Sequence, residues 1–172
     1  MQKNFSHILS VDDISNSEKL YRINANNEEL KQIAEILKVP EVKDFKAEIY
    51  TRHHNKSNLI DVWGRVSSLI TRQSVISLEF FNQKYISEFS LQFDTRLTDN
   101  QVRELEEEGV ENIPDVVIGG KIDLCQIAIE QIALELEDYP RKKGETFSFV
   151  SEFKDEDIKR ENPFNVLAKL KK

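Results

Sequence analysis

The sequence predicts an α+β fold, in which an antiparallel sheet, open or curled toward a barrel, is packed by two main helices. Three observations support this prediction. Residues 42–93 contain long runs where apolar and polar side chains alternate, two other segments carry apolar residues at helical spacing, and 39% of the 172 residues are hydrophobic. We divide the chain into an α+β domain over 1–138, with an acidic loop at 97–115, and a basic tail over 139–172 that ends in an amphipathic helix.

The strand-like segments come in two groups. Short runs over 5–11 and 20–23 precede the long alternating runs. Along the long runs one side is apolar and the other polar, which is the pattern of an antiparallel sheet with one buried face. We expect the last two strands, 74–81 and 85–93, to be joined by a hairpin turn at 82–84.

The first helix is predicted over 27–37. Asn26 followed three residues later by Glu29 forms a capping-box pattern, and the next apolar residues fall on one helical face before Pro40 ends the helix. The acidic stretch 98–109 is compatible with a short capped helix or with a solvated loop, and the loop is favoured.

The second main helix, over 122–136, is the most hydrophobic element of the chain. Its polar positions Asp123, Glu130 and Glu137 recur every seven residues, which predicts a narrow stripe facing water on a helix that is otherwise largely buried. Cys125 lies on the apolar side and is interpreted as a core residue rather than a nucleophile.

A third helix is predicted at the end of the basic tail. Asn162 and Pro163 occupy the N-cap and first positions, and lysines complement the dipole at the other end. Its apolar side is a candidate for docking on a partner. The partner-docking candidates are Asn162, Pro163, Phe164, Leu167 and Leu170.

Charge is distributed unevenly along the chain, whose formal net charge is −7. Residues 97–140 carry twelve acidic and two basic side chains, whereas 141–172 carry an excess of basic ones. An acidic segment suits a basic protein partner, and a basic tail suits phosphates. The acidic candidates are Glu104, Glu106, Glu107, Glu108, Asp123 and Glu130. The candidates for binding nucleic acid or a particle are Arg141, Lys142, Lys143, Lys169, Lys171 and Lys172, with Phe147 and Phe149 as stacking groups.

Several classes of protein are disfavoured by the same sequence. It has no apolar run of membrane-spanning length and no signal-peptide pattern, and its lone cysteine fits a reducing compartment, so we expect a cytoplasmic protein. It contains no phosphate-binding glycine loop and no zinc-protease or serine-hydrolase motif. His53 and His54 are adjacent, and on a strand they would point to opposite faces rather than share a metal. We therefore expect no catalytic residue, no metal and no cofactor.

Three ordered segments resemble the YceD family, the large ribosomal RNA subunit accumulation proteins of bacteria and plastids. The first runs from Trp63-Gly64-Arg65-Val66 to Leu78-Glu79-Phe80-Phe81. The second is Gly120-Lys121-Ile122-Asp123-Leu124 followed by Glu130-Gln131-Ile132-Ala133-Leu134, and the third is the terminal string Asn162-Pro163-Phe164-Asn165-Val166-Leu167-Ala168-Lys169-Leu170-Lys171. The sequence Asp138-Tyr139-Pro140-Arg141-Lys142 is similar to the alphaproteobacterial-type branch.

The resemblance implies a non-catalytic ribosome assembly factor that supports accumulation or maturation of large-subunit ribosomal RNA. It would dock on pre-ribosomal particles, on their rRNA or on a basic ribosomal protein. Ser74 and Ser77 stand where many family members have a Cys-x-x-Cys pair, so a role of those thiols cannot operate here. Two alternatives remain: a small Mg²⁺-dependent enzyme acting on nucleic acid, in which clustered carboxylates would hold the metal, and an adaptor that contacts only proteins.

Overall fold

A computed structural model of the chain describes residues 5–54 and 57–146, and these form the predicted α+β fold. The strands are β1 Ile8–Ser10, β2 Lys19–Asn24, β3 Glu41–His53, β4 Leu59–Gln73, β5 Phe80–Asp94, β6 Asp115–Val116 and β7 Lys121–Asp123. The helices are α1 Asn27–Leu37, α2 Asp99–Glu107 and α3 Leu124–Glu135. The chain divides into two compact units, Met1–Lys142 and Lys143–Lys172, and all these elements lie in the first.

The main sheet has five strands in the order β2-β3-β4-β5-β6, and it is open rather than closed into a barrel. Neighbours from β2 to β5 are antiparallel, as the alternating pattern predicts, while the short β6 runs parallel to β5. Strands β1 and β7 form a separate antiparallel pair. The sheet therefore follows the chain order throughout, which places long consecutive strands side by side.

One face of the sheet, here called the inner face, builds the hydrophobic core. Its members come from alternate positions of the long strands, because successive side chains of a strand point to opposite faces. Helices α1 and α3 cover it and contribute the fully buried Ile33, Leu124 and Ile132. The strand residues with no exposed surface are Phe45, Ile49, Ile60, Val62, Val66 and Ile70.

Side-chain caps begin both main helices. The Asn26 side chain accepts hydrogen bonds from the backbone N–H groups of Glu28 and Glu29, and the Glu29 carboxylate accepts one from the Asn26 N–H. The predicted capping box of α1 is thus confirmed. At α3 the Asp123 carboxylate accepts from the N–H groups of Cys125 and Gln126.

The predicted stripe of Asp123, Glu130 and Glu137 on one helix is wrong. Only Glu130 lies within α3, because Asp123 belongs to β7 and caps the helix, and Glu137 follows the helix end. Asp123 also accepts a hydrogen bond from the His7 N–H, 2.9 Å away, and so joins the helix start to the N-terminal strand region. A seven-residue repeat alone does not distinguish a helix face from a cap.

The predicted hairpin turn at 82–84 is also wrong. Strand β5 is continuous from Phe80, and the turn lies at 74–79. There the Ser74 hydroxyl accepts from the N–H groups of Ile76 and Ser77, and Leu78 adopts a positive φ of 61°. A serine that bonds to its own following backbone is a local turn signal that outweighs the polar residues downstream.

The acidic segment 97–115 contains a helix over Asp99–Glu107, so the preference for a loop there is a third error. Helix α2 begins after Thr98, whose backbone N–H and hydroxyl both donate to the Gln101 side chain. It ends near Gly109, which has a φ of 75°. The half-buried Val102 and Leu105 give this helix the apolar side that the abundance of glutamates conceals in the sequence.

Glu137, which follows α3, is hydrogen-bonded to side chains of β4 and β5. Its carboxylate accepts hydrogen bonds from Gln83 Nε2 and Tyr85 Oη, each at 2.8 Å, and its carbonyl accepts one from the Arg72 guanidinium at 2.6 Å. Burial alone would raise the pKa of this carboxyl. The hydrogen bonds, including one from its own backbone N–H, and the charge of Arg72 lower the pKa instead.

Gly64 is required where β3 and β4 approach each other. A Cβ atom there would overlap the Glu48 carbonyl oxygen and would lie 2.9 Å from Ile49 Cα. We expect Gly64→Ala to destabilise the fold by about 1–3 kcal/mol, because backbone has to move in a packed sheet. Chemical denaturation measures this. Ser67→Ala on the same strand is the control and should change stability by less than about 0.5 kcal/mol; equal stability of the two variants would contradict the close approach.

Candidate nucleic-acid interface

The second face of the main sheet, here called the outer face, carries polar and aromatic side chains in rows across the strands. In one row Arg22, Glu48, Arg65 and Glu88 are cross-strand partners from β2 to β5. Arg22 Nε lies 3.0 Å from Glu48 Oε1, and Arg65 Nε lies 3.7 Å from Glu88 Oε1. All four side chains are more than half exposed, so the row contributes little to stability and remains available to a ligand.

An aromatic pair forms the neighbouring row. Tyr50 and Trp63 are cross-strand partners, with ring centroids 5.7 Å apart and planes 12° from parallel. The Arg52 guanidinium carbon lies 5.5 Å from the centroid of the Trp63 ring. Both rings are half-buried. Aromatic rings and arginine planes on an exposed sheet are groups on which nucleic-acid bases stack.

Asp61 holds Arg52, the arginine beside the ring of Trp63, in place. Its Oδ2 accepts from Arg52 at 3.1 Å and lies 2.6 Å from His54 Nε2, and its Oδ1 accepts from Gln92 at 3.0 Å. Burial alone would raise the pKa of the Asp61 carboxyl. The hydrogen bonds from Gln92, Arg52 and His54, with the electrostatic effect of His54, together lower the pKa.

A basic hollow of about 380 Å³ adjoins these rows. Its lining includes four basic side chains and one carboxylate, that of Glu48. The basic residues are Arg22, Lys46, Arg65 and Lys84. Three of them are ion-paired: Arg22 with Glu48, Arg65 with Glu88, and Lys46, whose Nζ lies 3.0 Å from Asp44. A concave site with this excess of cations suits a phosphate group.

Part of the predicted acidic surface is brought together in a second cavity, of about 640 Å³, between α2, α3 and the end of β5. Glu106, Asp123 and Glu130 line it, together with Asp99 and Asp115. Burial, and then the nearby Glu130, raises the pKa of the Asp115 carboxyl. The remaining predicted members, Glu104, Glu107 and Glu108, are exposed on or next to α2 and are not part of the lining.

Three of the predicted basic candidates, Arg141, Lys142 and Lys143, lie among the described residues. Arg141 and Lys143 are exposed, whereas Lys142 Nζ is bonded to Glu79 at 2.7 Å. The other candidates in the tail lie outside the described residues. These are Phe147, Phe149, Asn162, Pro163, Phe164, Leu167, Lys169, Leu170, Lys171 and Lys172.

Within residues 5–54 and 57–146, no group of three or more His, Cys, Asp or Glu side chains is placed to hold a metal ion. Cys125 is buried, as predicted, and burial, followed by the nearby Asp123 and Glu29, raises the pKa of its thiol to about 12. It is therefore a poor nucleophile at neutral pH. Asp123 Oδ1 accepts hydrogen bonds from the backbone N–H groups of His7, Cys125 and Gln126.

The outer face was missed in the sequence, although its signal is present. Lys46, Glu48, Tyr50 and Arg52 occupy alternate positions of β3, and Trp63 and Arg65 do so on β4. In the sequence these residues look like the ordinary solvated side of a sheet, because only the strand register shows that they form rows.

Comparisons with known proteins add no relative to this picture. No family model, no curated protein and no solved structure matched the chain. Among the described residues no helix is both long and apolar enough to cross a membrane.

Asp61→Asn tests how the aromatic pair is positioned. The pKa of Asp61 is lowered in the folded state, so its stabilisation is present above the unfolded pKa of about 3.9 and is lost as the pH falls through the folded value. We expect the variant to be less stable by about 1–2 kcal/mol near pH 7, with the difference shrinking below about pH 4. Urea unfolding followed by Trp63 fluorescence measures this.

Asp12→Asn, at an exposed turn, is the matched control for the loss of one carboxylate. It should leave stability within about 0.5 kcal/mol of the wild type at both pH values. If Asp61→Asn behaves in the same way, the carboxylate does not hold Arg52 in solution.

Proposed function

We propose that this protein is a non-catalytic assembly factor of the large ribosomal subunit and that it contacts ribosomal RNA through the outer face of its sheet. The observation that carries the proposal is the placement of the Tyr50 and Trp63 pair next to the basic hollow on one exposed surface. The ribosomal assignment comes from the YceD resemblance, which stays a prediction.

The spacing of the rows supports contact with a single strand. Tyr50 and Glu48 are two positions apart on β3, so the aromatic row and the row that borders the hollow are separated by about 7 Å. A base stacked on the aromatic pair would place its backbone phosphate near Arg22 and Arg65. Stacking tolerates any base, and phosphate contact reads no sequence, so the surface would recognise unpaired RNA rather than one motif.

The overall charge of −7 does not oppose this contact at short range. Carboxylates concentrate in the segment 97–140, while the hollow is locally cationic. Since charges beyond about 8 Å are largely screened at physiological salt, the local hollow decides whether a phosphate binds.

The acidic cavity between α2 and α3 supplies a second contact in the proposal. Its carboxylates would accept a lysine- or arginine-rich segment of a ribosomal protein or of another assembly partner, and would chiefly raise the association rate and the specificity. Arg141, Lys143 and the apolar residues Phe164, Leu167 and Leu170 remain candidates for docking on the particle. The proposed setting is the cytoplasm, where ribosomal particles assemble.

Sedimentation of a lysate through a sucrose gradient tests the assembly role. Tagged protein is expected to travel with immature large-subunit particles, and ribonuclease treatment should release it if RNA carries the contact. Retention on protein fragments after ribonuclease would favour the adaptor alternative. Protein that stays at the top of the gradient, with no ribosomal component attached, would contradict the assembly role.

RNA contact is measured separately with purified protein. Trp63 is the only tryptophan of the chain, so its emission reports directly on the outer face. We expect a single-stranded RNA oligonucleotide to quench it. We expect Lys46→Glu/Arg65→Glu to weaken binding by about tenfold or more and to reduce the salt dependence of log K by about 1.4, as for two lost phosphate contacts.

The matched control is Lys31→Glu/Arg103→Glu, which makes the same change of net charge at exposed positions of α1 and α2. It should retain most of the affinity. An equal loss in both double variants would show that net charge alone drives binding, and the outer face would then not be the contact surface.

A further inference from the structure

One edge of the main sheet is left without a partner strand. Strand β5 pairs with β4 along its whole length, but on its other edge β6 covers only Phe93 and Asp94. In the part of the chain that the structure describes, the stretch from Phe80 to Gln92 therefore has no strand beside it on that edge. A long edge of unpaired backbone N–H and C=O groups is a template for another strand.

We propose that two copies of this chain pair antiparallel through β5, about a twofold axis at Ile86. The free stretch runs from Phe80 to Gln92, and its midpoint is Ile86. Pairing about this residue lets the two free stretches match end to end without displacing β6 in either copy. The result is a continuous ten-stranded sheet.

Charge independently selects the same register. With Ile86 opposite its own copy, Lys84 lies directly opposite Glu88 of the second copy, and the twofold axis makes this pair twice. Both side chains are exposed on the outer face. Opposite charges facing each other across antiparallel strands stabilise the pairing, and like charges oppose it.

Other registers lose this match. Directly opposite residues must belong to the same face, so the axis has to pass through a residue of the strand. An axis at Lys84 or at Glu88 would place like charges opposite each other. An axis at Tyr85 or Ser87 would place Lys84 opposite Ile86 or Ser90, so neither Lys84 nor Glu88 would face an opposite charge of the second copy.

Two exposed apolar side chains gain contacts in this arrangement. Ile86 is 41% exposed, and it would meet its own copy at the axis. Leu134 is 78% exposed on α3, next to Glu135, whose carboxylate accepts a hydrogen bond from Ser87 on β5. Because α3 lies over β5, the second copy would bring its own α3 alongside and give Leu134 an apolar neighbour.

Sedimentation and light scattering of the full chain test the pairing. We expect the wild type, of 20.1 kDa, to reach the mass of a dimer at micromolar concentration. Lys84→Glu or Glu88→Lys alone creates two like-charge pairs and should weaken the dimer by about tenfold. The double variant Lys84→Glu/Glu88→Lys restores opposite charges and should recover the wild-type dissociation constant to within about threefold.

Lys46→Glu is the control, since Lys46 is an exposed lysine of the outer face on β3, away from this edge. It should leave the dimer intact. A wild type that stays monomeric at about 100 μM would overturn the proposal. A double variant whose dimer is as weak as that of the single variants would also overturn it, because Lys84 and Glu88 would then not be opposite each other.

A cysteine at the axis gives a second measurement that does not depend on affinity. Cα atoms of opposite residues on antiparallel strands lie within the range that a disulfide spans. Ile86→Cys should therefore form a covalent dimer on mild oxidation, while the native Cys125 is buried. Ser90→Cys, on the same strand and face, would lie opposite Asn82 and should not cross-link; equal cross-linking of both variants would contradict the register.

The dimer can be tested apart from the RNA-binding proposal, although Lys84 and Ile86 line the basic hollow and also lie at the proposed pairing. It could form in a protein that never contacts RNA, and a monomer could still bind an oligonucleotide through one hollow. The charge-swap series measures mass, and the Trp63 titration measures RNA binding, so failure of one is distinguishable from failure of the other. Together they would place two basic hollows on one continuous outer face.

Discussion

The strict alternation of side chains along β3, β4 and β5 is the constraint on which the rest of the structure depends. Ile49, Val66 and Ile70 face the helices because their neighbours Glu48, Arg65 and Thr71 face away. A slip of one residue in the pairing would move the whole apolar set to the water side. The register therefore fixes the core and the outer face in one step.

Gly64 and the ends of α3 lock that register from two directions. At Gly64 the backbones of β3 and β4 come too close for any side chain, so this pairing tolerates no shift. At the helix ends, Asp123 bonds to the His7 N–H, and Glu137 receives hydrogen bonds from Gln83 and Tyr85. Both carboxylates thus join segments that are distant in the sequence.

The distribution of charge separates the two proposed contact surfaces. The acidic cavity is formed by α2, α3 and the end of β5, and the basic hollow lies on the outer face of the sheet. If charge were spread evenly over the surface, a negative protein would repel RNA and a positive one would attract any polyanion. Segregated charges allow one region to meet phosphates and another to meet a basic protein, and the specificity comes from geometry rather than from net charge.

The sequence by itself determined the features that depend on near neighbours. The α+β class, the buried face of the sheet, the capping box at Asn26 and the buried Cys125 were all predictable, because strand alternation and helix caps involve residues a few positions apart. Places where several local turn and cap signals compete were harder to predict. The Ser74 turn and helix α2 were mispredicted, since several weak turn and cap signals lay close together.

Only the tertiary structure decided which outward-facing residues meet. Tyr50 and Trp63 are far from exceptional as single residues of two strands, and Arg22 and Arg65 are separated by more than forty positions. They become one surface because the cross-strand register places them in adjacent rows, and register depends on long-range packing of the opposite face. The unpaired edge of β5 follows from the same cause, because the number of strands that pair beyond it is set by the folded sheet and not by any pattern within the strand.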